Sequence, residues 1–371
     1  DMYKKRLKKI NVPKALIYGA GRVGREVVLA SNNSNNLNIV AFIDDDKKKI
    51  SRLLCGKQIY SFNDIDGLVK SQNITHLILS IPFSERNKRN LIIQKAMKNQ
   101  LAVSTSPNLN EFAVGNTDSL KLLDLGMEDL LAREKVIPDL NLLQRNIKSK
   151  IVLVTGAGGT IGSQLCREII KNDPQKLLLI DTNEYFLYSI LNEIEILNKD
   201  NSVQIIPLLA SIKDKNIIEN IFKNWKPDTV YHAAAYKHVP IVEHNITQSL
   251  KNNVFGTLII AKTAVTSGVA NFVFISTDKA VRPTNFMGAT KRLGEICLQA
   301  LFANKKMNKI TNFSIVRFGN VLDSSGSVIP KFRKQIKEKS PITLTHPEIT
   351  RFFMTIKEAA ELVIQAGAMS K

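Results

Sequence analysis

Two glycine-rich turns, each between an apolar strand and a helix, constrain the fold of this chain more than any other feature. The first, GAGRVG at 19–24, follows the apolar run 14–18, and the second, GAGGTIG at 156–162, follows the apolar run 151–155. Glycines let the backbone turn tightly and approach a pyrophosphate, which the free N–H groups of the following helix stabilise. Each turn therefore predicts the start of a nucleotide-binding unit.

An acidic residue ends the second strand of each unit. Asp44 lies 20 residues beyond Gly24, and Asp181 ends the apolar run 177–180. A carboxylate at this point accepts hydrogen bonds from a ribose diol and repels a 2′-phosphate, so it favours NAD over NADP. We predict NAD binding in the second unit, through Gly156, Gly159, Thr160, Ile161, Gly162 and Asp181. For the first unit, cofactor binding and a structural or regulatory role both stay open.

Apolar runs and helical segments alternate beyond both turns. Strands are predicted at 76–81 and 101–104 in the first unit, and at 203–208, 229–232, 272–276 and 313–317 in the second. This alternation predicts an α/β fold of two Rossmann-like domains with doubly wound parallel sheets. We place the first domain at 14–106, a linker with a helix near 127–134 at 107–150, and the second domain at 151–371.

Composition excludes several classes of protein. Hydrophobic residues make up 44% of the 371 residues, as in ordinary globular proteins, and no apolar run approaches the ~18 residues that cross a bilayer. Cys55, Cys166 and Cys297 lie far apart, which suits a reducing compartment and offers no metal-ligand spacing. The formal net charge of +19 attracts anions of any kind. Because charge alone favours nucleic acid, we expect no nucleic-acid partner.

The most basic run is at the start of the chain. Residues 1–13 contain Lys4, Lys5, Arg6, Lys8 and Lys9. This run predicts either a solvated tail or a segment just inside a membrane helix, where Lys and Arg gather on the cytoplasmic side.

The segment after the strand at 272–276 is the most specific part of the sequence. It contains the triplet Thr277-Asp278-Lys279, followed by Met287 and Lys291. It resembles the extended short-chain dehydrogenase/reductase family, in which a tyrosine lies four residues before a lysine. Lys291 matches that lysine, whereas Met287 stands at the tyrosine position, and a thioether cannot exchange a proton.

Further motifs narrow the resemblance. The runs HAAA at 232–235, NVFG at 253–256 and RFGN at 317–320 follow in family order. Together with the triplet they resemble the membrane-anchored nucleotide-sugar 4,6-dehydratases of polysaccharide biosynthesis, over essentially the whole chain. Methionine at 287 is typical of the UDP-N-acetylglucosamine 4,6-dehydratases of bacillosamine biosynthesis in N-glycan formation.

The resemblance implies roles for the residues that match. Lys279 is the base at sugar carbon 5, Asp278 the acid for the hydroxyl leaving carbon 6, and Thr277 holds the carbon-4 hydroxyl. Lys291 holds the nicotinamide ribose, and the base for the carbon-4 hydroxyl stays open between Lys291, directly or through a water, and Asp278. The other implied contacts are Ala233, Ala234 and Ala235 for NAD; Lys237, His238, Pro240 and Asn285 on the sugar side; Asn320, Lys331 and Arg351 for the diphosphate; and Thr343 and Leu344 for the uracil.

The implied activity is a UDP-N-acetylglucosamine 4,6-dehydratase with bound NAD, a small C-terminal substrate-binding part and retained configuration at carbon 5. It also implies a protein anchored at the cytoplasmic face of the inner membrane, of which this chain is the soluble part after the last membrane helix, in contact with anionic lipid. A homo-oligomer is compatible with the sequence but not required by it. The alternatives are a UDP-sugar 4-epimerase, which needs a proton donor that Met287 does not supply, and a non-catalytic NAD-sensing regulator.

Overall fold

The computed structural model describes residues 12–34, 37–82, 85–106, 123–124, 136–198, 202–304, 306, 310–324, 326–344, 346 and 348–370. The chain divides into two compact units, Asp1–Glu134 and Lys135–Lys371. The basic run at 4–9 and the predicted helix near 127–134 lie outside the described residues. Within the described ranges, no helix has both the length and the apolar character needed to cross a bilayer.

The first unit is built on one twisted sheet. Its strands are β1 (Lys14–Tyr18), β2 (Asn38–Ile43), β3 (Leu53–Leu54), β4 (Lys57–Tyr60), β5 (His76–Leu79), β6 (Ala102–Thr105) and β7 (Leu123–Asp124), in the order β3-β4-β2-β1-β5-β6-β7. All pairs are parallel except β3–β4 and β6–β7. The helices are Arg22–Ser34, Ile65–Gln72 and Arg86–Lys98.

Two features of this unit differ from the sequence prediction. The hairpin β3–β4 and the helix Ile65–Gln72 lie between β2 and β5, where no element was predicted. The hairpin turns at Cys55 and Gly56, which both have positive φ, of 49° and 73°. Its strands have two and four residues, too few for alternation to show in a sequence. The helix restores the β-α-β alternation that a parallel sheet needs.

The second unit contains a six-stranded parallel sheet. Its strands are β8 (Ile151–Thr155), β9 (Lys176–Asp181), β10 (Gln204–Leu209), β11 (Thr229–His232), β12 (Asn271–Thr277) and β13 (Asn312–Phe318), in the order β10-β9-β8-β11-β12-β13. The strand order reverses between β8 and β11, and ligands of such sheets bind at the carboxyl ends beside this reversal. The predicted α/β class with parallel sheets is confirmed.

Helices cover both faces of this sheet, and each face has its own apolar core. The helices are Leu140–Arg145, Thr160–Ile170, Glu184–Leu197, Lys215–Trp225, Val239–His244, Ile246–Ser249, Thr257–Thr266, Phe286–Ala303, Val328–Lys337 and Ile356–Met369, with a π-helical turn at Leu250–Gly256. A separate two-stranded sheet pairs β14 (Asn320–Val321) with β15 (Phe353–Met354).

The predicted linker at 107–150 is too long. Residues 136–150 belong to the second unit, because the helix Leu140–Arg145 packs beside the helix Ile356–Met369. The backbone N–H of Asp139 donates to Gln365 Oε1 at 2.9 Å, and Asn146 Nδ2 donates to the carbonyl of Gly367 at 2.9 Å. These contacts bury Leu143 in the core, and a sequence pattern of six helical residues could not show them.

Candidate active site

The second glycine turn brings three backbone segments into contact at the end of β8. Gly156 has φ +67°, and a Cβ there would lie 2.8 Å from the backbone of Ala234. A Cβ on Gly162 would lie 1.9 Å from the Gly156 carbonyl oxygen. Only glycine allows this approach, so the turn leaves its backbone open to a ligand, with the predicted residues Ala233–Ala235 directly beside it.

Asp181 holds the turn from the end of β9. Its Oδ2 accepts from the backbone N–H of Gly158 at 2.9 Å, and its Oδ1 accepts from that of Asn183 at 2.9 Å. The helix that begins at Thr160, and continues through Ile161, has Gly159 as its N-cap without a side-chain cap. A helix N-terminus beside a glycine turn suits a pyrophosphate, and a carboxylate at this strand end suits a ribose diol. The arrangement fits NAD, as the sequence predicted.

A buried histidine links the turn to the sheet interior. His232 lies at the end of β11 with no exposed surface. Thr257 donates to the carbonyl of Asn253, so Thr257 Oγ1 accepts from His232 Nε2–H at 2.9 Å, and His232 Nδ1 accepts from the Thr155 hydroxyl at 2.7 Å. Burial, together with the charge of Lys291, lowers the pKa of His232 to about 3. His232 is therefore a neutral structural link and not a proton carrier.

The triplet Thr277-Asp278-Lys279 forms a tight turn at the end of β12, at the same edge of the sheet as the glycine turn. Asp278 Oδ1 accepts from Lys279 Nζ at 2.9 Å and from the Thr277 hydroxyl at 2.9 Å. Burial favours the neutral carboxyl, but these two hydrogen bonds outweigh it and hold the pKa of Asp278 below its usual value. Three of the five predicted catalytic side chains thus form one connected, partly exposed group; the other two are Met287 and Lys291.

Met287 lies in the first turn of the helix that follows. It is buried, with 4% of its surface exposed. Asn285 caps this helix, since its side-chain oxygen accepts from the backbone N–H of Gly288 at 2.8 Å. A Cβ on Gly288 would lie 2.2 Å from the carbonyl oxygen of Lys279, so the helix start packs directly on the triplet turn. The side-chain oxygen of Asn285, predicted to face the sugar, is therefore engaged in the cap.

Lys291 lies one turn further along and is 7% exposed. Its Nζ donates to the carbonyl of Ile275 at 2.8 Å and lies 4.5 Å from the ring centre of Phe274. Burial lowers the pKa of Lys291 to about 7, although the Glu295 carboxylate acts to raise it. A lysine with this pKa is present in both protonation states near neutrality, as a proton-transfer group requires.

Sequence reasoning missed Glu295, which lies four residues after Lys291. This carboxylate is fully buried and accepts hydrogen bonds from Ser276, Arg292 and Arg317. Burial alone would raise the pKa of Glu295, but the hydrogen bonds lower it to about 2. The i, i+4 spacing from Lys291 was the signal that could have found it, because such residues share one face of a helix.

The predicted sugar-side residues follow β11. Lys237 and His238 are exposed, and His238 is the N-cap of the helix Val239–His244, which contains Pro240. A Cβ on Gly326 would lie 2.3 Å from His238 Cε1. The structure therefore brings this segment against the loop before the helix Val328–Lys337.

The predicted diphosphate and uracil contacts form two small groups. The backbone N–H of Asn320 donates to the carbonyl of Phe352 at 3.1 Å, which places Asn320 beside Arg351, and Gly319 lies beside Asp278. Lys331 and Gln335 lie one turn apart on the helix Val328–Lys337, where Gln335 Nε2 donates to Thr343 Oγ1 at 3.2 Å. Leu344 follows and is exposed. Gln335 was not among the predicted residues, and no motif marks it.

The turn of the first unit has the same construction. Asp44 Oδ2 accepts from the backbone N–H of Ala20 at 2.8 Å, as Asp181 does from Gly158. Asp44 also pairs with Lys49 Nζ at 3.0 Å. A cavity of about 680 Å³ beside the turn is lined in part by Arg22, Arg25 and Glu26. The geometry leaves both predicted roles of this unit open.

The fold and the turn at 156–162 define the second unit as a nucleotide-binding Rossmann-type α/β domain. Residues 152–371 match the family model described as "Polysaccharide biosynthesis protein", and residues 11–75 match one described as "C2185-like, N-terminal". Because the first match covers more than half of the chain, this chain belongs to the polysaccharide biosynthesis protein family.

Three curated proteins of different description are similar to this chain. The capsular polysaccharide biosynthesis protein CapD of Staphylococcus aureus is 40% identical over 360 residues, which are 96% of this chain and 59% of that protein. An inverting UDP-N-acetylglucosamine 4,6-dehydratase of Campylobacter jejuni is 32% identical over 217 residues, 58% of this chain and 62% of the enzyme. A UDP-glucose 4-epimerase of Rickettsia bellii is 34% identical over 224 residues, 58% of this chain and 62% of that protein. The chain thus spans about three fifths of the length of these relatives.

Proposed function

We propose that this protein is a UDP-N-acetylglucosamine 4,6-dehydratase that forms UDP-2-acetamido-2,6-dideoxy-4-hexulose. The observation that carries the proposal is the connected Thr277-Asp278-Lys279 turn at the same sheet edge as the cofactor turn. A 4-epimerase has no use for an adjacent acid and base of this kind. The named dehydratase among the relatives supports the same chemistry.

The reaction divides between the cofactor and the protein side chains. Bound NAD supplies the hydride chemistry, from sugar carbon 4 and back to carbon 6. Lys279 removes the proton at carbon 5, and Asp278 protonates the hydroxyl that leaves carbon 6. For these roles Lys279 must start neutral and Asp278 must start protonated.

The hydrogen bond between the two side chains gives a route to these protonation states. The ion pair and the neutral pair contain the same number of protons, and they differ by one proton moved along the 2.9 Å contact between Lys279 Nζ and Asp278 Oδ1. In water this transfer is unfavourable by about 9 kcal/mol, from the difference in ordinary pKa values. Removing two charges from a dehydrated site recovers several kcal/mol per ion. A sugar that covers the half-exposed pair would therefore shift the balance toward the reactive form, against the attraction between the two charges, which also strengthens in a dehydrated site.

Thr277 is suited to hold the carbon-4 hydroxyl. Its hydroxyl donates to Asp278 and accepts from the backbone N–H of Lys279 at 3.4 Å, which leaves one lone pair for the substrate. Thr277 has no basic group, so the proton of that hydroxyl passes to another residue. Lys291 has the matching pKa of about 7.

The substrate side of the proposal rests on cations beyond the sheet edge. Lys331 and Arg351 are exposed, and Arg351 adjoins the strand that pairs with Asn320. Cations and an amide suit diphosphate oxygens. Retention of configuration at carbon 5 is proposed from methionine at position 287, the type feature of the retaining enzymes that this chain resembles.

The test is incubation of the purified protein with UDP-N-acetylglucosamine deuterated at sugar carbon 4. We expect a 4-keto-6-deoxy product with deuterium at carbon 6, seen by NMR, and a carbon-5 proton exchanged with solvent at retained configuration. A 4-epimer as the only product would identify an epimerase, and no turnover would identify a regulator.

Two variants assign the steps. Asp278→Asn should stop water loss and leave nucleotide binding intact, because the amide keeps the shape but cannot protonate the leaving group. Lys279→Met should stop exchange of the carbon-5 hydrogen. Exchange that persists in Lys279→Met would show that another base acts at carbon 5.

A further inference from the structure

A buried carboxylate lies behind the reacting turn. Glu295 Oε1 accepts from Ser276 Oγ at 2.6 Å and from Arg317 Nε at 2.7 Å. Glu295 Oε2 accepts from Arg292 Nη1 at 2.9 Å and from Arg317 Nη2. Four hydrogen bonds satisfy the carboxylate, so the ion is stable although none of its surface is exposed.

These bonds join three elements of the site. Ser276 directly precedes Thr277 on β12, and Ser276 is paired in register with Arg317 on β13. Glu295 itself lies on the helix Phe286–Ala303, which also contains Lys291. One carboxylate therefore bonds to the ends of two neighbouring strands, β12 and β13, from the helix that contains Lys291.

We propose that Glu295 is a positioning residue, which fixes the direction in which Thr277, Asp278 and Lys279 face the sugar. The inference rests on the proposed function for its reaction, but its structural part does not depend on which sugar is bound. A residue that holds reacting groups in place through hydrogen bonds changes turnover without touching the substrate.

The charge of Glu295 has a second effect, on Lys291. The two residues lie four positions apart on one helix, and the carboxylate opposes the lowering of the Lys291 pKa by burial. His232 also lies within electrostatic reach of Lys291, but it is neutral and adds no charge there. Removing the negative charge should therefore move the titration of Lys291 to lower pH.

The variant Glu295→Gln removes the negative charge of the side chain and keeps its volume. It keeps the shape of the side chain, but its NH2 group would face a donor of Arg317 or Arg292, and a donor cannot accept. Ser276→Ala is the complementary variant, because it removes only the bond from β12 and keeps the charge and the bonds from Arg317 and Arg292. Glu168→Gln is the matched control, since Glu168 is also buried on a helix and accepts from Gln164 at 2.7 Å and Lys171 at 3.1 Å, outside the site.

The experiment measures kcat against pH for the four proteins, together with NAD affinity and the titration of Lys291 by NMR of lysine-labelled protein. For Glu295→Gln we expect kcat to fall by about tenfold to a hundredfold, with NAD affinity unchanged and Lys291 titrating below pH 7. Ser276→Ala should lower kcat without moving the titration, and Glu168→Gln should match the wild type.

Folded Glu295→Gln with wild-type kcat and an unmoved Lys291 titration would overturn the inference. If Glu295→Gln does not fold, Ser276→Ala decides, and wild-type kcat in that variant would equally overturn it. A wild-type protein that makes no 4-keto sugar would remove the proposed function instead, and the Lys291 titration would still report on Glu295.

Discussion

The ammonium group of Lys291 is buried, and its charge lowers the stability of the folded protein. Its pKa falls from 10.5 in the unfolded chain to about 7 in the folded protein because of burial. Below about pH 7 the folded protein bears the full cost of the buried ammonium group. Between about pH 7 and 10.5 the unfolded chain binds a proton that the folded protein lacks, so stability rises with pH.

We expect Lys291→Met to raise the free energy of unfolding most at pH 6.5 and progressively less up to pH 10. The methionine removes the buried charge but keeps a side chain of similar length. Denaturant unfolding of both proteins across this range measures the difference. A difference that does not change with pH would show that Lys291 stays protonated in the folded protein up to pH 10, so that burial does not lower its pKa.

Met287→Ala should lower stability and keep substantial turnover. The side chain is 4% exposed, and truncating a buried methionine typically costs about 2–5 kcal/mol. Turnover should survive because a thioether transfers no proton. Turnover at saturating NAD and UDP-sugar, with folding verified by circular dichroism, makes the measurement, and Lys291→Ala is the inactive reference. An equal loss in both variants would mean that Met287 positions the sugar.

The sequence predicted the elements around the glycine turns and missed those between them. Continuous apolar runs such as Ile151–Thr155 identify buried parallel strands, and the predicted strands of the second unit match the observed ones within one or two residues. The hairpin β3–β4 was missed because its strands are short, and Glu295 because two of its partners, Ser276 and Arg317, come from separate strands. Patterns within a short stretch of sequence show the hydrophobic period and the residues that favour turns. Contacts between residues far apart in sequence depend on the assembled sheet.

The two glycine turns differ in the partners of the acidic residue beside each turn, and this difference can be tested. Asp44 pairs with the side chain of Lys49, whereas the carboxylate of Asp181 accepts from the backbone N–H groups of Gly158 and Asn183. We expect Asp181→Ala to lose bound NAD. If the first unit is structural, Asp44→Ala should leave both NAD content and turnover unchanged. NAD content per chain, measured after denaturing release, is the readout, and a halving in Asp44→Ala would mean that both turns are occupied.

At the scale of the whole molecule, the second unit should depend on residues 136–150. A chain of 136–371 keeps the hydrogen bonds of Asp139 and Asn146 to the last helix, together with the buried side chains of Leu143 and Ile147. A chain of 151–371 loses them and leaves Gln365 Oε1 without that donor. We expect the longer chain to have the higher Tm by calorimetry, because the shorter one loses buried apolar groups and several hydrogen bonds, among them that of the Thr229 hydroxyl to the Asn146 carbonyl. Equal Tm values would show that 136–150 contributes nothing to this unit.

The helix Ile356–Met369 affects the order in which the two units fold during synthesis, as well as the stability of the second unit. Its Ala360, Val363 and Ile364 complete the same core as Leu143 and Ile147, and the bond from Asn146 to Gly367 spans 221 residues of sequence. On a ribosome, where chains grow at about 5–20 residues per second, this core stays open until the helix Ile356–Met369 has been made. The first unit has all its own strands by then and can fold earlier. The two units therefore fold at different times during synthesis. A chaperone would act on the second unit while its apolar core is still exposed.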